Sequence, residues 1–415
     1  MVRFRGVNVI IRDLGESILR LAQAFPVVAI LGPRQSGKTT LAKELFSSHK
    51  YLSLEDLSLR ADAKQDPKGF LELHYDSPGI ILDEFQLVPE LLSYIQLAVD
   101  LDRRPGYFVL TGSQNFLMNQ AITQSLAGRI AITTLLPLSL GELKAASLLP
   151  VSLESFAFQG AYPELYVNEK LKAYDLYDNY TKTYIERDVR AIQNVQDLST
   201  FAKFMKLCAA RIGQVVNHAG LADDADINVA TVKSWLSLLE SSYIIFQLQP
   251  YSSQFTRRLI KAPKLFFYDS GLASYLLGLE SVDDIKLSSY RGNLIESSIV
   301  SEIVKLYYNA SKKPPIYFLR DKTGHEIDVL IEKSNALIPI EIKSRMTPNS
   351  DFFSNLKFWQ MAEQRGDKHF EVGFVIYAGN ETEKRTYGTC LSWQDMSAHI
   401  KQVVLQGASE PEDPV

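Results

Sequence analysis

The sequence predicts an α/β protein in three parts: a parallel-sheet core, a helical middle region and a second, mixed α/β region. Apolar runs alternate with helical spacing up to about residue 145, the pattern of a parallel sheet wrapped by helices. From there to about residue 280 helix-spaced aromatic residues replace the strand alternation, and beyond it strands return. These shifts divide the chain into residues 1–145, 146–280 and 281–405, with 406–415 an acidic tail of the composition expected of a disordered segment.

The first strand expected is Val27-Val28-Ala29-Ile30-Leu31, apolar throughout and suited to burial on both faces. It runs into Gly32-Pro33-Arg34-Gln35-Ser36-Gly37-Lys38-Thr39, a full match to the pattern G-x-x-x-x-G-K-[ST], and Thr40 to Phe46 follows with helical spacing. Glycines let backbone N–H groups curl around an anion while the helix aims its positive end at it. Gly32, Pro33, Arg34, Gln35, Ser36, Gly37, Lys38, Thr39 and Thr40 are therefore the expected nucleotide-binding residues. Lys38 is expected at the β- and γ-phosphates and Thr39 at a Mg²⁺ ion.

Further strands are expected at Tyr51 to Leu54, Ile80 to Leu82, Tyr107 to Leu110 and Ile130 to Leu135. The run Ile80-Ile81-Leu82 ends in Asp83-Glu84, two carboxylates at the sheet edge where ligands of such sheets bind. Asp83 is expected to hold the Mg²⁺ water shell and Glu84 to polarise the attacking water, a division of labour suited to hydrolysis. After the next strand, Ser113 or Gln114 is placed to sense the γ-phosphate. Arg129, ahead of the last strand, is a candidate charge-stabilising finger for its own or a neighbour's nucleotide.

In the middle region Tyr174, Tyr177, Tyr180 and Tyr184 recur at helical spacing, a stripe that reads first as core. Gly213 to Leu221 and Val229 to Leu239 read as helix, turn and second helix, and Ile244 to Leu248 and Lys264 to Asp269 as two following strands. This order resembles the winged-helix arrangement, whose second helix can enter a DNA groove.

In the last region a helix at Gly292 to Val304 precedes strands at Ile316 to Leu319, Glu326 to Ile331 and Leu337 to Ile342. Period-two alternation puts Glu341 and Lys343 on one strand face, and a hairpin would bring Asp328 to Glu341. Two carboxylates beside a lysine suit a Mg²⁺ ion that activates water against a phosphodiester, with Glu296 of the helix a further ligand. Asp followed by Glu-x-Lys resembles the PD-(D/E)XK, or restriction-endonuclease-like, nuclease fold, although Ile327 stands where the motif's proline would be. That resemblance includes relatives that do not cut.

Composition narrows the classes further. The 415-residue chain is 46% hydrophobic, enough for several packed cores, and its net charge of −4 excludes a global basic field for nucleic acid. DNA contact would need local patches: Arg257, Arg258, Lys261 and Lys264; Arg320 and Lys322; or Lys343 and Arg345. Two distant cysteines, no signal-peptide pattern and no span-length apolar run lead to the expectation of a cytoplasmic protein without a membrane segment.

The phosphate loop, Asp83-Glu84, Thr111-Gly112-Ser113, Ala127-Gly128-Arg129, Gly160-Ala161-Tyr162-Pro163 and Tyr184-Ile185-Glu186-Arg187-Asp188-Val189 occur in that order. Together they resemble the prokaryotic AAA-type ATPases of the AAA+ superfamily that carry a C-terminal domain of unknown function with a nuclease-like fold. The resemblance implies ATP with Mg²⁺ and a homo-oligomeric ring, commonly a hexamer. A neighbour would supply an arginine, for which Arg129, Arg187 or Arg190 is the candidate. Three functions stay open: an ATP-driven assembly that remodels DNA, branched DNA included; an ATP-gated, Mg²⁺-dependent DNA nuclease; and a nucleotide switch acting on protein partners.

Overall fold

The computed structural model describes residues 2–4, 7–113, 125–184, 197–251, 262–321, 324–362 and 368–405. Strands β1 (Val2–Phe4) and β2 (Val7–Val9) pair as an antiparallel ribbon ahead of helix α1 (Leu14–Ala24). Strand β3 (Val27–Leu31) leads to α2 (Lys38–Leu45), β4 (Lys50–Ser53), α3 (Leu57–Gln65), α4 (Pro67–Glu72) and β5 (Ile80–Asp83). Helix α5 (Leu91–Leu101), β6 (Phe108–Gly112) and β7 (Ile130–Thr134) complete the core.

The five strands β3 to β7 form a wholly parallel sheet in the order β4-β5-β6-β3-β7. Alternation along β3 feeds two separate cores. Val27, Ala29 and Leu31 pack with Leu91, Ile95 and Val99 of α5, whereas Val28 and Ile30 pack with Leu14 and Ile18 of α1 and Leu41 of α2. Because every strand runs the same way, the loop after β3, Asp83 at the end of β5 and Ser113 after β6 share the carboxyl edge.

After the sheet come α6 (Leu140–Ala145), opened by a capping box between Ser139 and Glu142, and then α7 (Leu153–Gln159), the first helix of the middle region. It continues through α8 (Glu164–Val167), α9 (Ala173–Tyr184), α10 (Leu198–Ala209), α11 (His218–Ala225) and α12 (Val229–Ser241). Asn217 and Asn228 cap α11 and α12 by accepting the Gly220 and Thr231 N–H groups, which fixes the tight turn between the helices. An antiparallel pair follows, β8 (Ile245–Leu248) with β9 (Lys264–Phe267), and Val215 bridges Lys264 as a further strand-like contact. Tyr177, Tyr180 and Tyr184 are buried with Phe201, Phe204 and Trp235, so most of the tyrosine stripe is core. Helices α13 (Ser270–Leu276) and α14 (Val282–Leu287) close the region.

Helix α15 (Arg291–Asn309) is buried over most of its length. The sheet beside it contains β10 (Ile316–Arg320), β11 (Glu326–Glu332), β12 (Ala336–Lys343), β13 (His369–Phe370), β14 (Gly373–Tyr377), β15 (Glu383–Arg385) and β16 (Gly388–Ser392). Its order is β10-β11-β12-β14-β16-β15, with β13 also on β12. Strands β10, β11 and β12 are antiparallel and β12, β14 and β16 parallel. One sheet face packs Val329, Ile331, Ile338 and Ile340 on Ile299 and Ile303 of α15, and α17 (Met396–Leu405) joins this core through Met396 and Ile400. The other face packs Leu330, Leu337 and Val375 on Leu356 of α16 (Ser354–Ala362). Both cysteines are buried and unpaired, and among the described residues no helix is long and apolar enough to cross a membrane.

Candidate functional site

The loop after β3 is shaped by positions that only small or permissive residues fill. Gly32 has φ +147°, and a Cβ there would lie 2.2 Å from the Leu135 carbonyl oxygen; Gly37 has φ +95°. The Lys38 ammonium folds back over the loop, donating to the carbonyls of Gly32 at 3.1 Å and Pro33 at 2.7 Å. Ser36 Oγ donates to the Pro33 carbonyl at 3.0 Å. Lys38, Thr39 and Thr40 open α2, with Lys38 buried, Thr39 half-buried and Thr40 exposed.

A buried arginine that carries no motif braces this loop. Arg12 donates to the Ser36 carbonyl at 2.7 Å and the Leu136 carbonyl at 2.6 Å, and its Nε pairs with Glu142 Oε1 at 3.1 Å. Its partners lie 24 to 130 residues away in sequence, so no local spacing announces it.

At the end of β5, the Asp83 carboxylate accepts Thr39 Oγ1 at 2.9 and 3.1 Å, the Tyr51 hydroxyl at 2.7 Å, and the Thr111 hydroxyl. Burial, then the bond and charge of Asp83, push the Tyr51 phenol well above its ordinary pKa and keep it a donor. A threonine hydroxyl in contact with a carboxylate at the mouth of a phosphate loop is an all-oxygen donor set, and it fits Mg²⁺.

Glu84 adopts a left-handed conformation, φ +54°, at the head of a short 3-10 turn, Phe85–Leu87. Burial raises its pKa, and the charges of Lys38 and Arg34 act against that rise. Gln86 Nε2 donates to the Glu84 carboxylate and also to Ser113 Oγ at 3.2 Å. The structure thus places Ser113 beside Glu84 through an amide that sequence reading missed. Gly112 makes room for that amide, since a Cβ there would lie 2.2 Å from Gln86 Oε1.

Arg129 stands elsewhere. It precedes β7, its carbonyl accepts Val27 N–H at 3.3 Å, and its guanidinium grips Asp100 at 2.6 and 2.8 Å. The expected role toward its own chain's nucleotide is therefore corrected: β7 runs parallel to β3, so a residue just before it lies at the edge opposite the loop. Gln114, Arg187 and Arg190 fall outside the described residues, as does the acidic tail.

A second pocket, a cleft of about 510 Å³, gathers the other expected site residues. Glu296 comes from α15, Asp328 from β11, and Glu341 and Lys343 from β12. The register that pairs Val329 with Ile340 sets Asp328 across from Glu341, as the hairpin expectation required. Two further residues were not anticipated: Glu326, two positions before Asp328 on the same strand face, and Lys264 of β9. Carboxylate oxygens of Glu296, Glu326 and Asp328 lie within 4.8 Å of one another.

Lys264 Nζ sits among them, 2.9 Å from Glu296 Oε1 and paired with Glu326. Asp328 accepts the Ile342 N–H at 2.7 Å, and Glu341 pairs with Lys343 at 2.5 Å. Burial lifts the carboxyls of Glu296 to about 7 and Glu341 to about 8, the first opposed by Lys264 and the second reinforced by Asp328. The same pairings take Lys264, Lys343 and Arg320 out of the expected local patches, because each is matched to a carboxylate, Arg320 to Glu326 at 3.3 Å, whereas Arg345 is exposed. Arg257, Arg258, Lys261 and Lys322 lie outside the described residues.

Residues 24–144 match a family model described as an AAA domain. Residues 151–283 and 291–396 match two domains of unknown function, DUF8612 and DUF4143. An uncharacterized protein of Mycobacterium tuberculosis is 26% identical over 341 residues, covering 81% of this chain and 75% of its own. An uncharacterized protein of Methanocaldococcus jannaschii is 22% identical over 340 residues, covering 74% and 73%. Among solved structures, a Walker-type ATPase of Pyrococcus abyssi is 15% identical with a TM-score of 0.38, over 65% of this chain and 96% of that one. The Thermotoga maritima RuvB Holliday junction branch migration motor is 17% identical with a TM-score of 0.28, over 57% and 88%. The family match, together with the loop geometry, makes residues 24–144 an AAA-type P-loop ATPase domain.

Proposed function

We propose that this chain is a Mg²⁺-dependent ATP hydrolase that works on DNA. The observation that carries the hydrolase reading is the convergence of Lys38, the Thr39 and Asp83 pair, and Glu84 with Ser113 at one sheet edge. Incoming phosphates give the Lys38 ammonium stronger acceptors than the Gly32 and Pro33 carbonyls it now caps. Thr39 and Asp83 would hold the Mg²⁺, which shields phosphate charge when bound. Glu84 takes the proton of the attacking water, its basicity raised by burial and its ionisation supported by Lys38 and Arg34. Gln86 fixes where that carboxylate points, and Ser113 reports the γ-phosphate to it.

Phosphate-release assays test this reading. Glu84→Gln is expected to retain ATP binding and lose at least about a hundredfold in turnover, and Lys38→Ala to lose binding. Equal turnover in Glu84→Gln and wild type removes Glu84 from its role.

The DNA part is supported by the order of α10, α11, α12 and the β8 and β9 ribbon, a winged-helix-like sequence of elements. Arg257, Arg258 and Lys261 lie in the segment joining the two ribbon strands. Asp223 and Asp224 at the end of α11 and Asp226 just past it put negative charge ahead of α12, so phosphate contact is assigned to Arg257, Arg258 and Lys261 and not to α12. The working form is proposed to be a ring, commonly a hexamer, with an arginine supplied across the interface. Turnover stimulated by duplex or four-way junction DNA, with salt-sensitive binding, supports the DNA reading. Turnover indifferent to every DNA form overturns it, and nucleotide-dependent capture of one protein partner would favour a switch.

A further inference from the structure

The carboxylates of the C-terminal pocket carry the pattern of a nuclease-like metal site, yet the pocket already contains a cation. Lys264 Nζ lies 2.9 Å from Glu296 and pairs with Glu326, two of the three residues whose oxygens converge as metal ligands would. The lysine is 4% exposed, so its charge is satisfied by these partners and not by solvent. Four carboxylates face three cations in the cleft, which leaves little negative charge for a divalent ion. With Lys264 in place, the residues do not fit one, because a metal at the same oxygens would stand within a few ångströms of the ammonium.

The lysine is delivered by the middle region, and its neighbours hold that region down on the pocket. Asn293 at the start of α15 donates to the Ile212 carbonyl at 2.7 Å. Gly213 has φ +71°, and a Cβ there would meet Asn293 Nδ2 at 3.1 Å and Glu296 Oε2 at 3.2 Å. Val215 bridges Lys264 itself. The ribbon, the Gly213 turn and α15 therefore meet around one ion cluster.

We propose that Lys264 is the resident cation of this pocket, so that the nuclease-like carboxylates clamp the middle ribbon onto the C-terminal sheet and exclude divalent metal while the lysine remains. The lysine does for Glu296 and Glu326 what a metal does in a hydrolytic site of this layout, neutralising charge and fixing geometry, but it offers no open position where water could be activated. The inference concerns the pocket alone and is independent of ATP turnover and of DNA.

Calorimetric titration of Mn²⁺ into the full-length, nucleotide-free protein tests it. Wild type and Asp328→Asn are expected to give the same titration, with no pocket site. Lys264→Met, which keeps most of the side-chain volume, is expected to gain a Mn²⁺ site at least about tenfold tighter than any in wild type, and adding Asp328→Asn should abolish it. Wild-type binding that Asp328→Asn removes would overturn the proposal. So would a Lys264→Met protein that melts cooperatively and hydrolyses ATP normally but gains no site. Should Lys264→Met not fold, the comparison of wild type with Asp328→Asn decides the point alone.

Discussion

At the residue scale, the amide of Gln86 joins the two groups that must act together, Glu84 and Ser113. A hydrogen bond to a charged group is worth roughly 1.5–3 kcal/mol, so Gln86→Ala is expected to lower kcat by about ten- to a hundredfold while leaving KM for ATP nearly unchanged. Gly112→Ala should act in the same direction, since its new methyl would displace the Gln86 carbonyl oxygen. A Gln86→Ala enzyme with wild-type kcat would reduce the amide to a packing group. Lys38, Thr39, Asp83 and Glu84 were legible in the sequence because strand, loop and helix fix their spacing locally. Arg12, Gln86, Tyr51 and Lys264 were not, because their roles come from partners that only the fold brings near. Arg129 could have been placed correctly: a residue that precedes a parallel strand belongs to the edge opposite the phosphate loop.

At the element scale, α15 differs most from its expectation. The sequence indicated a helix from Gly292 to Val304, but it extends to Asn309 and is enclosed on several sides, by β12 and by α7, α13 and α17. Glu302 and Lys305 are therefore part of the interior. Glu302 accepts the Leu140 N–H at 2.6 Å and pairs with Lys305 at 2.7 Å, and Lys305 also donates to the Leu138 carbonyl at 2.9 Å. Removing either partner strands the other in the core, so Glu302→Ala and Lys305→Ala are each expected to cost about 3–5 kcal/mol in denaturant unfolding. The double variant Glu302→Ala with Lys305→Ala should cost less than the two singles combined, because no charge is left behind. Strict additivity would show that the pair is not energetically coupled. Strands were easier to read than this helix because period-two alternation marks a face, whereas burial on all sides leaves no stripe to detect.

At the scale of the whole molecule, pH and nucleotide reach the same framework from opposite ends. The Glu341 carboxyl, lifted to about 8 by burial and by Asp328, keeps a proton that the unfolded chain gives up near its ordinary value of 4.5. Its contribution is therefore complete below that value and is lost as pH rises toward about 8. Melting temperature should fall by several degrees between about pH 5 and about pH 8, and Glu341→Gln should flatten that fall; an unchanged slope would place the titration elsewhere. From the other end, the phosphate loop reaches α15 through buried charges. The Ser36 carbonyl is held by Arg12, Arg12 pairs with Glu142, Glu142 accepts the Ser139 N–H at 2.8 Å, and the next residue, Leu140, donates to Glu302. Helix α15 carries Glu296, whose carboxylate grips Lys264 at 2.9 Å. Nucleotide that reshapes the loop should consequently alter amide exchange along α15, and the shortest way to cut the chain without emptying it is Glu142→Gln. In wild type, an ATP analogue that resists hydrolysis is expected to change α15 protection. In Glu142→Gln the change should remain at the loop and disappear at α15, and wild-type exchange at α15 insensitive to nucleotide would sink the coupling.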